Sequence, residues 1–168
     1  VTHSLFKTYP TPQKMLALGE KALKKKIRAI GLYNVKAANI IKVCRILIEE
    51  YQSEVPHSRE ELEALPGVGR KTANVVLNVA FKEPTLAVDT HVFRLANRSK
   101  MAPGKTPLEV ELKLLQIIPK RFLLKAHYLM LFQGRYVCKA RRPDCPNCCM
   151  RDFCKYEFKE GELSQDET

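Results

Sequence analysis

The sequence predicts an all-α fold, and three observations lead to this prediction. Apolar residues recur at helical spacing along most of the chain, and no segment alternates apolar and polar residues as a half-buried strand does. Two capping boxes also mark helix starts, because a hydroxyl and a glutamate three residues later can satisfy free backbone N–H groups. The boxes begin at Ser58 and at Thr106, and Pro107 suits the first helical position of the second.

Glycines and polar turns divide this pattern into separate helices. Gly19 and Gly31 each end one helix, since glycine is favoured just beyond a helix C-terminus. The predicted helices cover residues 12–18, 20–30, 34–52, a segment from 58 into Leu65, a segment from Arg70, residues 90–98, a segment from 106, and residues 121–136.

Charge points to a polyanionic partner. The 168 residues carry a formal net charge of +11; residues 157–168 contain five acids and one lysine, a net −4, which leaves +15 on residues 1–156. This excess favours nucleic acid, and an anionic membrane second, over a merely solubilising surface. No apolar run approaches the ~20 residues that span a bilayer, and no signal peptide is visible.

The string LPGVGRKTA, residues 65–73, predicts a tight turn between two helices. Because glycine has no side chain, Gly67, Val68 and Gly69 can bring their backbone close to a partner. The N–H groups at the start of the next helix suit a DNA phosphate, and Arg70 can add a phosphate contact. The alternative is a simple connection with a glycine cap, but the whole string is more specific than a lone GxG.

Lys71 stands where a helix start disfavours positive charge. An amine attacks carbon only when it is neutral, and helix-end dipoles, adjacent Arg70 and partial burial all disfavour the ammonium form. Lys71 is therefore a candidate nucleophile, although the spacing alone equally allows a plain phosphate contact.

Asp89 precedes the helix that starts at Thr90. Aspartate is a natural N-cap there, and a carboxylate held by a cap can also stabilise positive charge that develops on a substrate. The sequence leaves both roles open. His91 and Arg94 follow as candidate DNA contacts, with a hydrogen-bonded structural histidine as the alternative at position 91.

Five of the six cysteines lie within residues 138–154. Cys138, Cys145, Cys148 and Cys154 have gaps of six, two and five residues, which weakly favours an iron–sulfur cluster over zinc, because zinc sites usually bring two close pairs. Cys44 and Cys149 are surplus to a four-ligand site, although Cys149 beside Cys148 leaves open which sulfur ligates. Within the same segment, Lys139, Arg141 and Arg142 are candidate phosphate contacts, with a solvated basic loop as the alternative.

Three stretches together resemble the endonuclease III family: LPGVGRKTA, AVDTHVFRLANR at residues 87–98, and the cysteine segment. The resemblance covers residues 1 to about 158 and implies two helical lobes that flank a DNA-binding cleft. It implies a helix-hairpin-helix motif and a [4Fe–4S] cluster on the four spaced cysteines near the C-terminus. It further implies that Lys71 attacks the sugar C1′ of a flipped nucleotide with the help of Asp89, and that Leu32 fills the gap in the duplex, although a core contact is an equal alternative at that position.

The predicted domains are an incomplete helical barrel at residues 1–83, with the hairpin at 58–81, and a cluster domain at 84–157. A disordered acidic tail is expected at 158–168. Because the chain begins at Val1, we expect a fragment that lacks the N-terminal segment of the family.

The predicted activity is base-excision repair, by a monomeric glycosylase and abasic-site lyase for oxidised pyrimidines. Its partner is double-stranded DNA with damaged pyrimidines or abasic sites and not a membrane, in the bacterial cytoplasm at the nucleoid, or in the nucleus or mitochondrion of a eukaryote. A monofunctional glycosylase and a catalytically inactive DNA-binding module with a structural metal are the alternatives.

Overall fold

A computed structural model describes residues 2–157 of the chain. The predicted acidic tail at 158–168 lies outside these residues. Within them the chain forms α-helices and no strand, which confirms the all-α prediction. The helices are α1 (Thr2–Thr8), α2 (Pro12–Leu18), α3 (Glu20–Lys26), α4 (Tyr33–Glu50), α5 (Arg59–Ala64), α6 (Arg70–Val79), α7 (Thr90–Ser99), α8 (Pro107–Ile117) and α9 (Lys120–Phe132). A π-helical turn, Gln133–Val137, follows α9, and a 3₁₀ turn covers Arg151–Phe153.

Helix starts follow the capping signals. Ser58 Oγ accepts a hydrogen bond from the Glu61 N–H at 3.2 Å, and Thr106 Oγ1 accepts one from the Glu109 N–H at 3.2 Å. The returning carboxylates differ from the ideal box, since Glu61 Oε2 accepts from the Ser58 hydroxyl and Glu109 Oε2 accepts from the N–H of Lys105. Each cap of this kind contributes about 1 kcal/mol.

Three predicted helices end earlier than expected, and the one predicted for residues 34–52 does so by only two residues, at Glu50. The helix predicted for residues 20–30 ends at Lys26, because the backbone turns at Ile27, whose N–H closes the last turn on Leu23 O. The helix predicted for residues 121–136 changes to the π-helical turn at Gln133. There Gly134 comes so close to α7 that a Cβ on it would lie 2.7 Å from His91 O.

Contacts divide the chain into two compact units between Ala73 and Asn74, within α6. The predicted domain boundary between residues 83 and 84 stays a prediction. In the first unit, α2 and α3 pack against α4. Their shared core consists of Leu5, Met15, Leu23, Ile27, Ala37, Ile41 and Cys44.

In the second unit, α7 packs against α8, α9 and the π-helical turn. The core residues are Leu86, Val88, Val92, Leu95, Ala96, Ala102, Val110, Leu114, Ala126 and Met130. Several of these leucines and valines are completely buried, and each such side chain contributes about 1.5–3 kcal/mol. Among the helices of residues 2–157, each is too short or too polar to cross a membrane.

Candidate functional site

The turn between α5 and α6 requires glycine at one of its two glycine positions. Gly67 has φ +77°, a left-handed conformation that L side chains rarely adopt. A Cβ on Gly67 would also lie 2.3 Å from the Asn39 side-chain nitrogen, so the turn packs tightly on α4. Gly69 has neither constraint, because no atom lies within 4 Å of the position of its Cβ. Geometry within the first unit therefore explains Gly67 but not Gly69.

The backbone after the turn begins α6 with free donors. Gly69 O accepts hydrogen bonds from the N–H groups of Thr72 at 2.8 Å and Ala73 at 3.0 Å, so Gly69 is the N-cap of the helix. The Val68 N–H is satisfied by Leu65 O at 3.0 Å. Within the described residues, the N–H groups of Gly69 and Lys71 have no acceptor. A helix N-terminus with such donors attracts anions.

Lys71 lies in the first turn of α6 and is exposed, so the partial burial expected from the sequence is wrong. Its ammonium group forms no ion pair or hydrogen bond with any residue between 2 and 157. Its neighbour Arg70 is half-buried and does have an intramolecular partner. Of the two adjacent cations, only Lys71 therefore has no intramolecular partner among residues 2–157.

Asp89 is the N-cap of α7. Its Oδ1 accepts hydrogen bonds from the N–H groups of His91 at 2.9 Å and Val92 at 2.8 Å. The structural role that the sequence predicted for this aspartate is therefore present. Oδ2 has no partner within the described part of the chain, and the side chain is only half-buried. One carboxylate oxygen thus orients the group while the other is available for chemistry.

Two buried asparagines fix the segment that leads to Asp89. The Asn74 side chain donates to Leu86 O at 3.0 Å, and the Asn78 side chain donates to Thr85 O at 2.9 Å. The Thr85 hydroxyl returns a bond to Asn74 O at 2.7 Å. Because all three polar side chains are buried, losing any of these bonds leaves an unsatisfied group at a cost of about 1–3 kcal/mol.

His91 and Arg94 both have partners in the second unit. Arg94 donates through Nε to Cys138 O at 2.9 Å and through Nη2 to Gly134 O at 2.6 Å, and Nη2 lies 3.2 Å from His91 Nδ1. These bonds connect α7 with the π-helical turn and with the first cysteine of the segment. The DNA contacts predicted for His91 and Arg94 stay predictions, and Arg94 has a structural role in addition.

The four spaced cysteines surround one cavity of about 30 Å³ in the second unit. Its lining includes Cys138, Cys145, Cys148 and Cys154, but not Cys149, which is exposed. The pKa of the Cys145 thiol is raised, first by burial and then by the thiols of the other three cysteines, while Arg98 lowers it. Cys44 lies in the core of the first unit, where burial raises the pKa of its thiol.

The donor set fits an iron–sulfur cluster by its chemistry, since four cysteine thiols line the cavity, together with Asp144 and without a histidine. Across the described residues, however, no three side chains of histidine, cysteine, aspartate or glutamate converge closely enough to hold a metal ion. The four cysteines that line the cavity are the four predicted ligands. Their coordination of a metal stays a prediction.

Arg98 is a residue of this region that the sequence analysis missed. Its guanidinium donates to Lys139 O at 2.6 Å and Ala140 O at 2.9 Å, and it lies 3.8 Å from Cys138 Sγ. It also stacks on the Tyr156 ring at 4.8 Å. Its position in the sequence could have indicated this role. Arg98 lies four residues after Arg94 and therefore on the same face of α7.

The remaining predicted DNA contacts are exposed, as such a role needs. Lys139, Arg141 and Arg142 lie on the surface of the cysteine segment, and Arg142, which has an intramolecular partner, adopts a left-handed φ of 49°. Leu32 is 78% exposed and also left-handed, with φ 58°, directly before α4. Because its side chain is exposed, Leu32 is not a core residue. Its left-handed backbone costs about 1–2 kcal/mol. The predicted role of Leu32 in filling the gap in the duplex stays a prediction.

Three features described above are typical of helix-hairpin-helix DNA repair proteins. They are two helices joined by a glycine turn with free N–H groups, an aspartate that caps a helix, and a cavity lined by four cysteines. In agreement, a family model for "HhH-GPD superfamily base excision DNA repair protein" matches residues 1–120. Endonuclease III of Rickettsia conorii is 58% identical over 157 residues, which cover 94% of this chain and 75% of the relative. Endonuclease III of Escherichia coli K12 is 54% identical over 162 residues, which cover 95% and 77%.

Solved structures give the same result. A trapped endonuclease III–DNA covalent intermediate superimposes with a TM-score of 0.86 at 49% identity, over 92% of this chain and 73% of that chain. A thermostable thymine-DNA glycosylase follows with a TM-score of 0.81 at 26% identity, over 92% and 73%. The chain belongs to the endonuclease III family of the HhH-GPD superfamily, and it is a DNA glycosylase of base-excision repair. The family and the base-excision-repair glycosylase function predicted from the sequence are thereby confirmed, whereas the lyase activity and the oxidised-pyrimidine substrate stay predictions.

Proposed function

We propose that this glycosylase is bifunctional and also cleaves DNA at abasic sites, with Lys71 as its nucleophile. The observation that carries the proposal is the position of Lys71, exposed and without a partner in the described chain, two residues after Gly69 in the first turn of α6. A cation at a helix N-terminus does not stabilise the helix, so the fold itself gives no reason for a lysine there.

The substrate is double-stranded DNA that contains an oxidised pyrimidine or an abasic site, bound by a monomer. The free N–H groups of Gly69 and Lys71 bind a backbone phosphate. The exposed cations Lys139 and Arg141 add phosphate contacts, which position the protein without selecting a sequence. Selection comes from the damaged base, which unstacks at lower cost than an intact one. The similarity to a trapped endonuclease III–DNA covalent intermediate supports the binding of DNA.

The reaction proceeds in two stages. The neutral amine of Lys71 attacks C1′, the glycosidic C–N bond breaks, and the base leaves with the bonding electrons and takes up a proton. The sugar ring then opens to an imine between Lys71 and C1′. The imine acidifies the C2′ proton, and removal of that proton expels the 3′ phosphate by β-elimination, which cuts the strand.

Asp89 is the electrostatic partner in this scheme. Its Oδ1 is occupied by the α7 N-cap, so the carboxylate is oriented and its Oδ2 can stabilise positive charge at C1′ or assist the proton transfers. Lys71 belongs to the first unit and Asp89 to the second.

Cys138, Cys145, Cys148 and Cys154 hold a [4Fe–4S] cluster in this proposal. When bound, the cluster supplies metal–thiolate bonds that tie the segment together and takes no part in base removal. The chain's own contribution is to present the intervening basic residues, 139–142, to the phosphates. Arg98 supports that function already, because it holds the carbonyl groups of Lys139 and Ala140.

Borohydride trapping tests the nucleophile. Incubation of the protein with a duplex that carries an abasic site, followed by reduction, should give a covalent protein–DNA adduct, and Lys71→Gln should abolish it. Lys42→Gln makes the same charge change at an exposed position of α4 and should leave the yield unchanged. Peptide mapping of the wild-type adduct should locate the DNA on Lys71.

The alternatives give distinct results in the same assay. A monofunctional glycosylase would release the damaged base without an adduct. An inactive DNA-binding module would bind the duplex and do neither. An adduct that forms at the wild-type yield in Lys71→Gln would refute the assigned nucleophile.

A further inference from the structure

The side-chain amide of Gln133 contacts two adjacent cysteines in opposite ways. Its Nε2 donates to Cys148 Sγ at 3.1 Å, and its Oε1 accepts from Cys149 Sγ at 3.8 Å. Gln133 is the first residue of the π-helical turn, a local irregularity of a kind that often occurs at functional sites. The amide therefore distinguishes two sulfurs that the sequence cannot distinguish.

The two contacts also differ in their suitability for a metal ligand. A metal ligand is a thiolate, which carries no proton and can only accept hydrogen bonds. The N–H of Gln133 suits such a thiolate at Cys148. The carbonyl oxygen of Gln133 can only accept a hydrogen bond, so its contact with Cys149 Sγ differs in kind from the contact that the N–H makes with Cys148 Sγ.

The position of the two side chains agrees with their contacts. Cys148 lines the cavity together with Cys138, Cys145 and Cys154, whereas Cys149 lies outside the lining and is exposed. The cavity lining and the contacts of the Gln133 amide are independent observations, and both favour Cys148 over Cys149 as the metal ligand. A second sulfur, Cys138 Sγ, has the Arg98 guanidinium at 3.8 Å, so a neighbouring donor is not unique to Cys148.

We infer that Gln133 is a positioning residue that directs the cluster to Cys148 and away from Cys149. The inference rests on the proposed cofactor and assigns a role to a residue outside the cysteine motif. Hydrogen bonds from neighbouring residues hold a ligand in place and tune the metal, and removing such a partner typically costs 10–100-fold in metal affinity. Gln133 thus acts through Cys148 and not on the DNA.

Alkylation of the iron-loaded 168-residue chain tests this inference without any activity measurement. Iodoacetamide is applied anaerobically to the native protein, and tandem mass spectrometry then locates the label on Cys148 or Cys149. In the wild type we expect label on Cys149 and protection of Cys148. Gln133→Glu keeps the size and the acceptor but removes the N–H, so labelling of Cys148 and the rate of cluster loss to a chelator should each rise about tenfold.

Two further variants separate the hydrogen bond from charge and from folding. Gln116→Glu makes the same charge change at an exposed position of α8 and should behave as the wild type. Gln133→Met removes both polar contacts without adding charge, and it should also expose Cys148 to alkylation. Circular dichroism of each variant checks that the helices are intact.

The outcomes distinguish this inference from the cofactor proposal. A wild-type protein whose colour and iron content are absent after anaerobic reconstitution would overturn the cofactor, and this inference with it. An iron-loaded wild type that protects Cys149 and not Cys148 would overturn the ligand assignment. If Cys148 stays as protected in Gln133→Glu and in Gln133→Met as in the wild type, the cluster stands and the role of Gln133 is refuted.

Discussion

The hairpin at residues 58–79 and the cysteine segment at residues 138–154 are stabilised in different ways. In the hairpin, the cap and turn bonds from Ser58 to Ala73 join residues at most four positions apart, such as the Ser58 cap on Glu61 and the Gly69 cap on Ala73, and the longer bonds begin only at Asn74. The cysteine segment contains only one 3₁₀ turn of regular structure. Arg94 and Arg98 instead bond its backbone from more than 40 positions away.

This difference determines how each region should respond to substitution. A hairpin built from local bonds loses roughly what one turn or one cap contributes. A segment held by distant side chains can be disrupted from a residue outside it, because its backbone has few internal partners. The free energy of unfolding of single-residue variants measures this contrast.

Arg98→Ala should be the most destabilising change. It removes two charge-assisted hydrogen bonds, to the carbonyl groups of Lys139 and Ala140, at a cost of about 2–3 kcal/mol. Chemical unfolding should measure this loss, and the iron content of the purified protein should fall with it. Arg98→Lys keeps the charge but not the planar fork, so its loss should be intermediate. An alanine variant with wild-type stability and wild-type iron content would show that the segment is held by its own residues.

Gly67→Ala should cost about 1–2 kcal/mol, because alanine must adopt the left-handed conformation at φ +77°. The new methyl group also meets the end of the Asn39 side chain, which can move away. The double variant with Asn39→Ala removes that contact and leaves the backbone strain, so a double-mutant cycle in urea separates the two contributions. If Gly67→Ala unfolds at the wild-type urea concentration, the turn is not constrained as described.

The contrast also explains what the sequence predicted well. The capping boxes, Gly19 and the glycine turn act over three or four residues, so the observed helix α2 coincides with its prediction and α5 and α6 begin where expected. Asp89 followed the same rule, since an N-cap depends only on the next three residues. Such signals are visible in a sequence because their partners are adjacent in it.

The surroundings of the cysteines could not be predicted in this way. Spacing identified the four cysteines that line the cavity, but Gln133 and Arg98 became relevant only because α7 and the π-helical turn pack together. That packing depends on Gly134, where any side chain would collide with His91 O. No local sequence pattern predicts that two backbone segments will come this close. Long-range packing, and not propensity, therefore set the limit of the sequence analysis.

Gly69→Ala should have the smallest effect on the fold and a clear effect on binding. Its Cβ would meet no atom within 4 Å, and alanine is a poorer N-cap than glycine, so we expect a loss of only about 0.5 kcal/mol in stability. A phosphate held by the N–H groups of Gly69 and Lys71, in contrast, would meet the new methyl group. Loss of one charge-assisted hydrogen bond, about 1.5 kcal/mol, lowers DNA affinity about tenfold.

Ser58→Ala is the matched control for that measurement, because it removes a cap of the same hairpin at about 1 kcal/mol without changing the turn. Fluorescence anisotropy with an abasic duplex should therefore rank the two variants opposite to urea unfolding. Gly69→Ala binds weakly and folds well, whereas Ser58→Ala folds less stably and binds normally. If both variants bind like the wild type, the open space beside Gly69 is not where the DNA backbone lies, and the N-terminus of α6 loses its assigned role.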